Sequence, residues 1–75
     1  MTLDEFVVRF AGEFDETPEE KFKEDTIFKG LDEWSSLTAL SIIAMIDEEF
    51  DVSITGADLR SVETIQDLYY LVISK

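Results

Sequence analysis

Apolar residues recur at helical spacing near the start of the chain, which indicates an amphipathic first helix. Thr2 stands where an N-cap is expected, and Asp4 and Glu5 occupy the first turn, where carboxylates interact favourably with the helix dipole. The pattern predicts a first helix over residues 3–14. Its apolar positions are Leu3, Phe6, Val7, Phe10 and Phe14.

Three further helices are predicted by their capping residues and apolar spacing. Ser35 is positioned to cap a second helix over residues 36–50, with Asp51 near its end. Thr55 precedes a brief third helix over residues 57–60, and Thr64 with Asp67 resembles a capping box before a last helix over residues 65–74. Because no stretch shows the alternation of a strand, we expect an all-α fold, a small four-helix bundle with a short third helix, as a single domain over residues 1–75.

The connection over residues 15–35 is charged and has no sustained apolar period. Connections of this length are uncommon in small domains and are usually functional or held in place by their own side chains. Ile27, Phe28 and Leu31 are the first apolar residues after the polar stretch, and we expect them to anchor the connection to the core.

The second helix carries two apolar stripes when its residues are placed about 100° apart around the axis. Ala39, Ile42, Ile43, Ile46 and Phe50 form one stripe, which we expect to face the core. The second stripe comprises Leu37, Leu40 and Ala44, and it lies beside Asp47, Glu48 and Asp51. Either this stripe is a surface for binding partners, or the short third helix and the long connection cover it.

Charge and composition restrict the function further. Eighteen acidic residues against six basic ones give a net charge of −12, which counts against binding to nucleic acid or anionic lipid and favours basic partners. The absence of cysteine and histidine leaves no disulfides and none of the usual zinc ligands. No apolar run is long enough to span a bilayer and the N-terminus lacks the basic start of a signal peptide, so we expect a cytoplasmic protein without membrane insertion. We also expect a monomer.

Ser36 is the candidate for covalent chemistry because it lies at the start of the second helix. Serine is also common at this position because its hydroxyl accepts hydrogen bonds from unpaired backbone N–H groups, a role for which Ser35 and Ser36 compete. A catalytic serine is disfavoured, since activation requires a nearby base such as histidine and the chain has none.

Ser36 and Leu37, followed at a fixed distance by the run Asp47, Glu48, Glu49, Phe50 and Asp51, resemble the acyl carrier proteins over essentially the whole chain. The resemblance implies 4′-phosphopantetheine attached to Ser36, carrying acyl groups as thioesters in fatty acid, polyketide or related lipid biosynthesis, with no catalysis by the carrier itself. It also implies two kinds of partner, a phosphopantetheinyl transferase and acyl-transferring or synthase enzymes with basic docking surfaces. Those enzymes would bind the second stripe and its acids, which are Leu37, Leu40, Ala44, Asp47, Glu48 and Asp51.

Two residues, Ser35 and Ser41, depart from the family pattern, and Trp34 is unusual next to it. Ser35 replaces the aspartate that usually precedes the serine, and Ser41 replaces an acid that many relatives carry. Trp34, beside the implied attachment position, either shields the arm or contacts a partner, or it packs under the long connection.

Two alternatives remain open from the sequence. The same fold would serve an aminoacyl or peptidyl carrier of a nonribosomal or alanylation pathway. A small acidic adaptor or ion-binding bundle would need no prosthetic group and would use Ser36 only as a cap. The acidic run lacks the alternating ligands and the glycine of an EF-hand loop, so we expect no metal site.

Overall fold

The structure is a computed structural model and describes residues 2–75. The described chain forms four α-helices, which confirms the predicted all-α fold. Within these residues, the β-structure consists of an isolated bridge between Ile27 and Thr64. The helices are α1 (Leu3–Ala11), α2 (Ser36–Phe50), α3 (Gly56–Ser61) and α4 (Ile65–Ile73), and the loop between α1 and α2 contains two 3₁₀ turns, Glu19–Lys21 and Phe28–Gly30.

The helices begin at the predicted caps. Thr2, Thr55 and Thr64 each cap a helix through a side chain that accepts a backbone N–H, and an acid three residues later closes each capping box. The predicted bounds of α2 are confirmed, whereas α3 extends one residue beyond the prediction at each end and α4 ends at Ile73.

The first helix is shorter than predicted. It ends at Ala11 and is followed by Gly12, a residue with low helix propensity. Phe14 therefore lies outside the helix, but it remains buried because the chain turns there, with the Phe14 N–H donating to the Ala11 carbonyl at 3.0 Å. The helix was predicted too long because apolar residues continue at helical spacing beyond Ala11.

The core is built around aromatic rings from α1 and the long loop. Phe10 is fully buried, and its ring centroid lies 5.3 Å from that of Phe28 and 5.5 Å from that of Phe14. The other helices close this cluster mainly with aliphatic side chains. The core comprises Phe6, Phe10, Ala11, Phe14, Phe22, Phe28, Ile42, Met45, Ile46, Ile54, Leu59, Val62, Ile65, Leu68 and Val72.

The core stripe of α2 was only partly predicted. Ile42 and Ile46 are fully buried, while the predicted members Ala39, Ile43 and Phe50 are partly buried against the core. Met45 was missed, although it is only 7% exposed. It lies about 60° outside the predicted arc, on the side of α2 that borders α1.

The long loop is anchored by its backbone as well as by apolar residues. Phe28 is buried and Leu31 packs against the core as predicted, but the prediction for Ile27 is wrong, because this residue is 60% exposed. Instead, the N–H groups of Ile65 and Gln66 donate to the carbonyls of Thr26 and Glu24, at 3.2 and 2.9 Å. The first turn of α4 has no intrahelical acceptors for these donors, so the loop supplies them.

Candidate functional site at the start of helix α2

Ser35 and Ser36 have separate roles at the start of α2. Ser35 is the N-cap, and its Oγ accepts the Thr38 N–H at 3.3 Å. Ser36 is the first helical residue and is exposed, and its hydroxyl has no hydrogen-bond partner within residues 2–75. Since Ser35 provides the cap, the Ser36 hydroxyl is left accessible to solvent.

Glu33 fixes the chain just before these serines. Its carboxylate accepts the backbone N–H groups of Asp15, Glu16 and Thr17 at 2.9, 3.1 and 2.8 Å, and the Thr17 hydroxyl at 2.7 Å. The Thr17 hydroxyl is the main reason that the pKa of Glu33 is lowered; desolvation opposes the shift, and the three backbone donors add to it. No local signal in the sequence predicts this contact, because Glu33 and its partners are distant in the chain.

Trp34 packs beneath the long loop, as one of its two predicted roles required. Its ring is stacked on Phe14 with a centroid distance of 6.4 Å, and lies edge-on to Phe28 at 5.0 Å. The residue is only partly buried, and its remaining surface borders Ser36. Trp34 thus connects the core to the start of α2.

A surface cleft of about 310 Å³ lies beside Ser36, between the start of α2, helix α3 and the second 3₁₀ turn. Lys29 and Arg60, which sequence reasoning did not select, both line it, and the Lys29 ammonium donates to the Arg60 carbonyl at 3.1 Å. These cations come together only through the tertiary fold. The lining comprises Lys29, Trp34, Ser35, Ser36, Ala39, Gly56, Leu59 and Arg60.

The second stripe of α2 is exposed. Leu37 and Leu40 are 77% and 61% exposed, and Ala44 is also exposed. The alternative that α3 and the loop cover these leucines is therefore wrong. We call the six predicted partner-binding residues the docking face; its acids, Asp47, Glu48 and Asp51, are exposed as well.

The acidic end of α2 has two structural features of its own. Asp51 is the C-cap and adopts a left-handed backbone conformation, with φ of 56°, which is uncommon for a residue other than glycine. Glu49 forms an ion pair with Arg9 at 2.9 Å. This pair offsets part of the unfavourable interaction between the acids and the negative end of the helix dipole.

The start of α2 suits a phosphate ester. The Ser36 and Leu37 N–H groups lie in the first turn, where a helix has no acceptors for its donors, and the positive end of the dipole favours an anion there. The exposed Ser36 hydroxyl is available to form such an ester. Lys29 and Arg60 add positive charge at the adjoining cleft.

Two further properties concern the surface. None of the helices in residues 2–75 combines the length and apolarity needed to cross a membrane. In the same residues, no group of three or more metal-binding side chains is arranged to hold a metal ion.

Comparison with known proteins gives one family. The sequence model of the family described as phosphopantetheine attachment site matches residues 5–72, whereas searches of curated proteins and of solved structures found no significant match. The family is defined by covalently attached 4′-phosphopantetheine, which disfavours the adaptor without a prosthetic group. Its carrier domains are generally not catalytic. The chain belongs to the phosphopantetheine attachment site family and is a phosphopantetheine carrier protein.

Proposed function

We propose that the hydroxyl of Ser36 carries the 4′-phosphopantetheine arm and that the protein is an acyl carrier. The observation that supports the attachment position most directly is the exposed Ser36 hydroxyl, which has no hydrogen bond within residues 2–75 because Ser35 caps the helix. A separate transferase would attach the arm from coenzyme A through a phosphodiester: the Ser36 oxygen would bond to the phosphorus next to the pantetheine, the hydroxyl would lose its proton, and the pyrophosphate bond would break to release 3′,5′-ADP. The carrier itself would catalyse nothing, since the chain has no histidine to activate a nucleophile.

The arm would carry an acyl group as a thioester to the active sites of partner enzymes. Attachment raises the local concentration of the cargo, so weak and repeated docking is sufficient. In this proposal Leu37, Leu40 and Ala44 make the apolar contact with each partner. Asp47, Glu48 and Asp51 guide basic surfaces of those partners, chiefly by increasing the rate of association.

The net charge of −12 supports an acyl cargo over an aminoacyl or peptidyl one. An acidic carrier would associate with basic surfaces on the enzymes of fatty acid, polyketide or related lipid synthesis. The cargo itself gives the test. Protein recovered from its own cells without thiol reductant should release an acyl hydroxamate on treatment with hydroxylamine, which cleaves thioesters. Release of an amino acid or peptidyl hydroxamate would replace this proposal with the aminoacyl or peptidyl alternative.

The attachment position is tested by intact mass after co-expression with a broad-specificity phosphopantetheinyl transferase. The wild-type protein should gain the mass of one arm, and Ser36→Ala should gain none. Ser35→Ala is the matched control, because it removes the neighbouring hydroxyl and should still be modified despite a loss of stability of about 1 kcal/mol from the lost cap. Modification of Ser36→Ala, or no modification of the wild type by several transferases, would contradict the proposal.

A further inference from the structure

The cleft beside Ser36 differs in charge from the rest of this acidic molecule. Two of the six basic residues, Lys29 and Arg60, line it, and none of its lining residues is acidic. Four other surface clefts each include acidic residues. Positive charge is thus concentrated at the one position where the proposed function places a phosphate.

Both cations are available to bind an anion. The ion pairs within residues 2–75 are Arg9 with Glu49 and Lys75 with Asp58, so neither Lys29 nor Arg60 is paired with a carboxylate. The hydrogen bond from the Lys29 ammonium to the Arg60 carbonyl leaves two of its three N–H donors unused. The Arg60 side chain makes no hydrogen bond in the same residues, and its guanidinium can bind two oxygens of one phosphate.

The fold brings the two cations to the cleft. The carbonyl of Arg60 holds the Lys29 ammonium at the end of α3. The Arg60 guanidinium folds back towards the start of α3, where a Cβ added at Gly56 would lie 3.4 Å from Nη1. At this distance an added Cβ would be in van der Waals contact with the guanidinium, which therefore lies against the first turn of α3, beside the cleft.

We propose that Lys29 and Arg60 bind the phosphodiester of the arm attached to Ser36. This inference rests on the proposed attachment at Ser36. None of the docking-face residues lines this cleft, so cations that bind the base of the arm there hold it outside the docking face. The docking face is therefore left free when the arm is bound by the cations.

The two arginines of the chain allow a direct measurement by NMR. In ¹⁵N-labelled protein, the Nε–H signal of Arg60 should shift when the arm is attached, while that of Arg9, which is paired with Glu49, should not. Intact mass of the same sample establishes whether the arm is present. This measurement uses the wild-type chain and does not depend on a variant that might fold poorly.

The second measurement is the ³¹P signal of the attached phosphodiester. It should shift in Lys29→Gln with Arg60→Gln relative to the wild type, and should not shift in Lys21→Gln with Lys23→Gln, which loses the same charge elsewhere. Absence of the arm from wild-type protein would refute the proposed function, and this inference with it. A fully loaded wild type with an unchanged Arg60 signal, or equal ³¹P shifts in both double variants, would refute only the binding of the phosphodiester by Lys29 and Arg60.

Discussion

Thr17 makes two hydrogen bonds to one oxygen of Glu33, from its backbone N–H at 2.8 Å and from its hydroxyl at 2.7 Å. This contact joins the beginning of the long loop to the segment that leads into α2. Since the ionised carboxylate is the acceptor, the contact links the position of the loop to pH.

Glu33→Gln should lower stability at pH 7 and flatten its decline in acid. The pKa of Glu33 is lowered from its ordinary value of 4.5. Its contribution to the free energy of unfolding is therefore fully present above pH 4.5 and is lost as the pH falls below that value. The pKa values of Asp58 and Asp67 are lowered mainly by the N–H groups of Thr55 and Thr64, so part of the acid dependence should remain. The prediction is tested by the midpoints of urea unfolding, measured from pH 7 to below pH 4.5. Glu16→Gln is the control, and an identical pH profile for both variants would contradict it.

Phe10→Ala should destabilise the fold by about 3–5 kcal/mol, because it opens a cavity among the rings of a fully buried cluster. A domain of this size has little more stability than that to lose. Thermal unfolding followed by circular dichroism would measure the effect. Val8→Ala, on the exposed side of the same helix, should change stability by no more than about 0.5 kcal/mol. Similar losses in both variants would show that the ring cluster is not the centre of stability.

Trp34 should report attachment of the arm through its fluorescence. It is the only tryptophan in the sequence and borders Ser36 in the cleft, so a group attached there changes its surroundings. The emission spectrum should change when wild-type protein is loaded and stay constant when Ser36→Ala is treated in the same way. Superimposable spectra of unloaded and fully loaded wild type would contradict the prediction.

Reversing two charges on the docking face, Asp47→Lys with Glu48→Lys, should slow attachment of the arm about tenfold at low salt without unfolding the protein. Each reversal adds two charges, so the net charge changes from −12 to −8. Both acids are exposed at the end of α2, where a lysine interacts better with the helix dipole. Initial rates of modification at several salt concentrations provide the measurement.

Glu19→Lys with Glu20→Lys is the control for that experiment. It changes the net charge equally, on a 3₁₀ turn outside the docking face. Equal slowing in the two double variants would indicate an effect of net charge alone. Wild-type rates that do not vary with salt would contradict a role for charge in association.

Asp51→Gly should stabilise the protein by about 0.5–1 kcal/mol, because glycine adopts the left-handed conformation at this C-cap without steric cost. The same change removes an acid from the docking face and should slow modification by the transferase. Asp51→Asn separates the two effects, since asparagine tolerates this conformation but carries no charge. An unfolding midpoint for Asp51→Gly at or below that of the wild type would contradict the prediction.

Local signals in the sequence were sufficient for the fold and for part of the site. Ser35 and the apolar spacing after it predicted both ends of α2, and helical geometry predicted that Leu37 and Leu40 share a side of that helix. These features depend on residues close together in the chain. Capping residues likewise identified where the other helices begin.

Features created by distant residues were missed. Glu33 binds N–H groups at the other end of the long loop, and Lys29 meets Arg60 only after α3 has packed against the rest of the chain. Met45 was excluded from the predicted stripe because the direction of α1 relative to α2 could not be read from either helix alone. Ile27 was expected in the core for its apolarity, but the backbone of its segment makes the contact with α4 instead.

The hydrogen bonds from Ile65 and Gln66 to the long loop couple the unfolding of α4 to that of the loop. When the last helix unwinds, Thr26 and Glu24 lose their partners, so the loop that precedes Ser36 should loosen in the same event. Amide hydrogen exchange in the two segments would then proceed through a common opening. The conformational freedom of the segment before Ser36 should in this way depend on whether the last helix is folded.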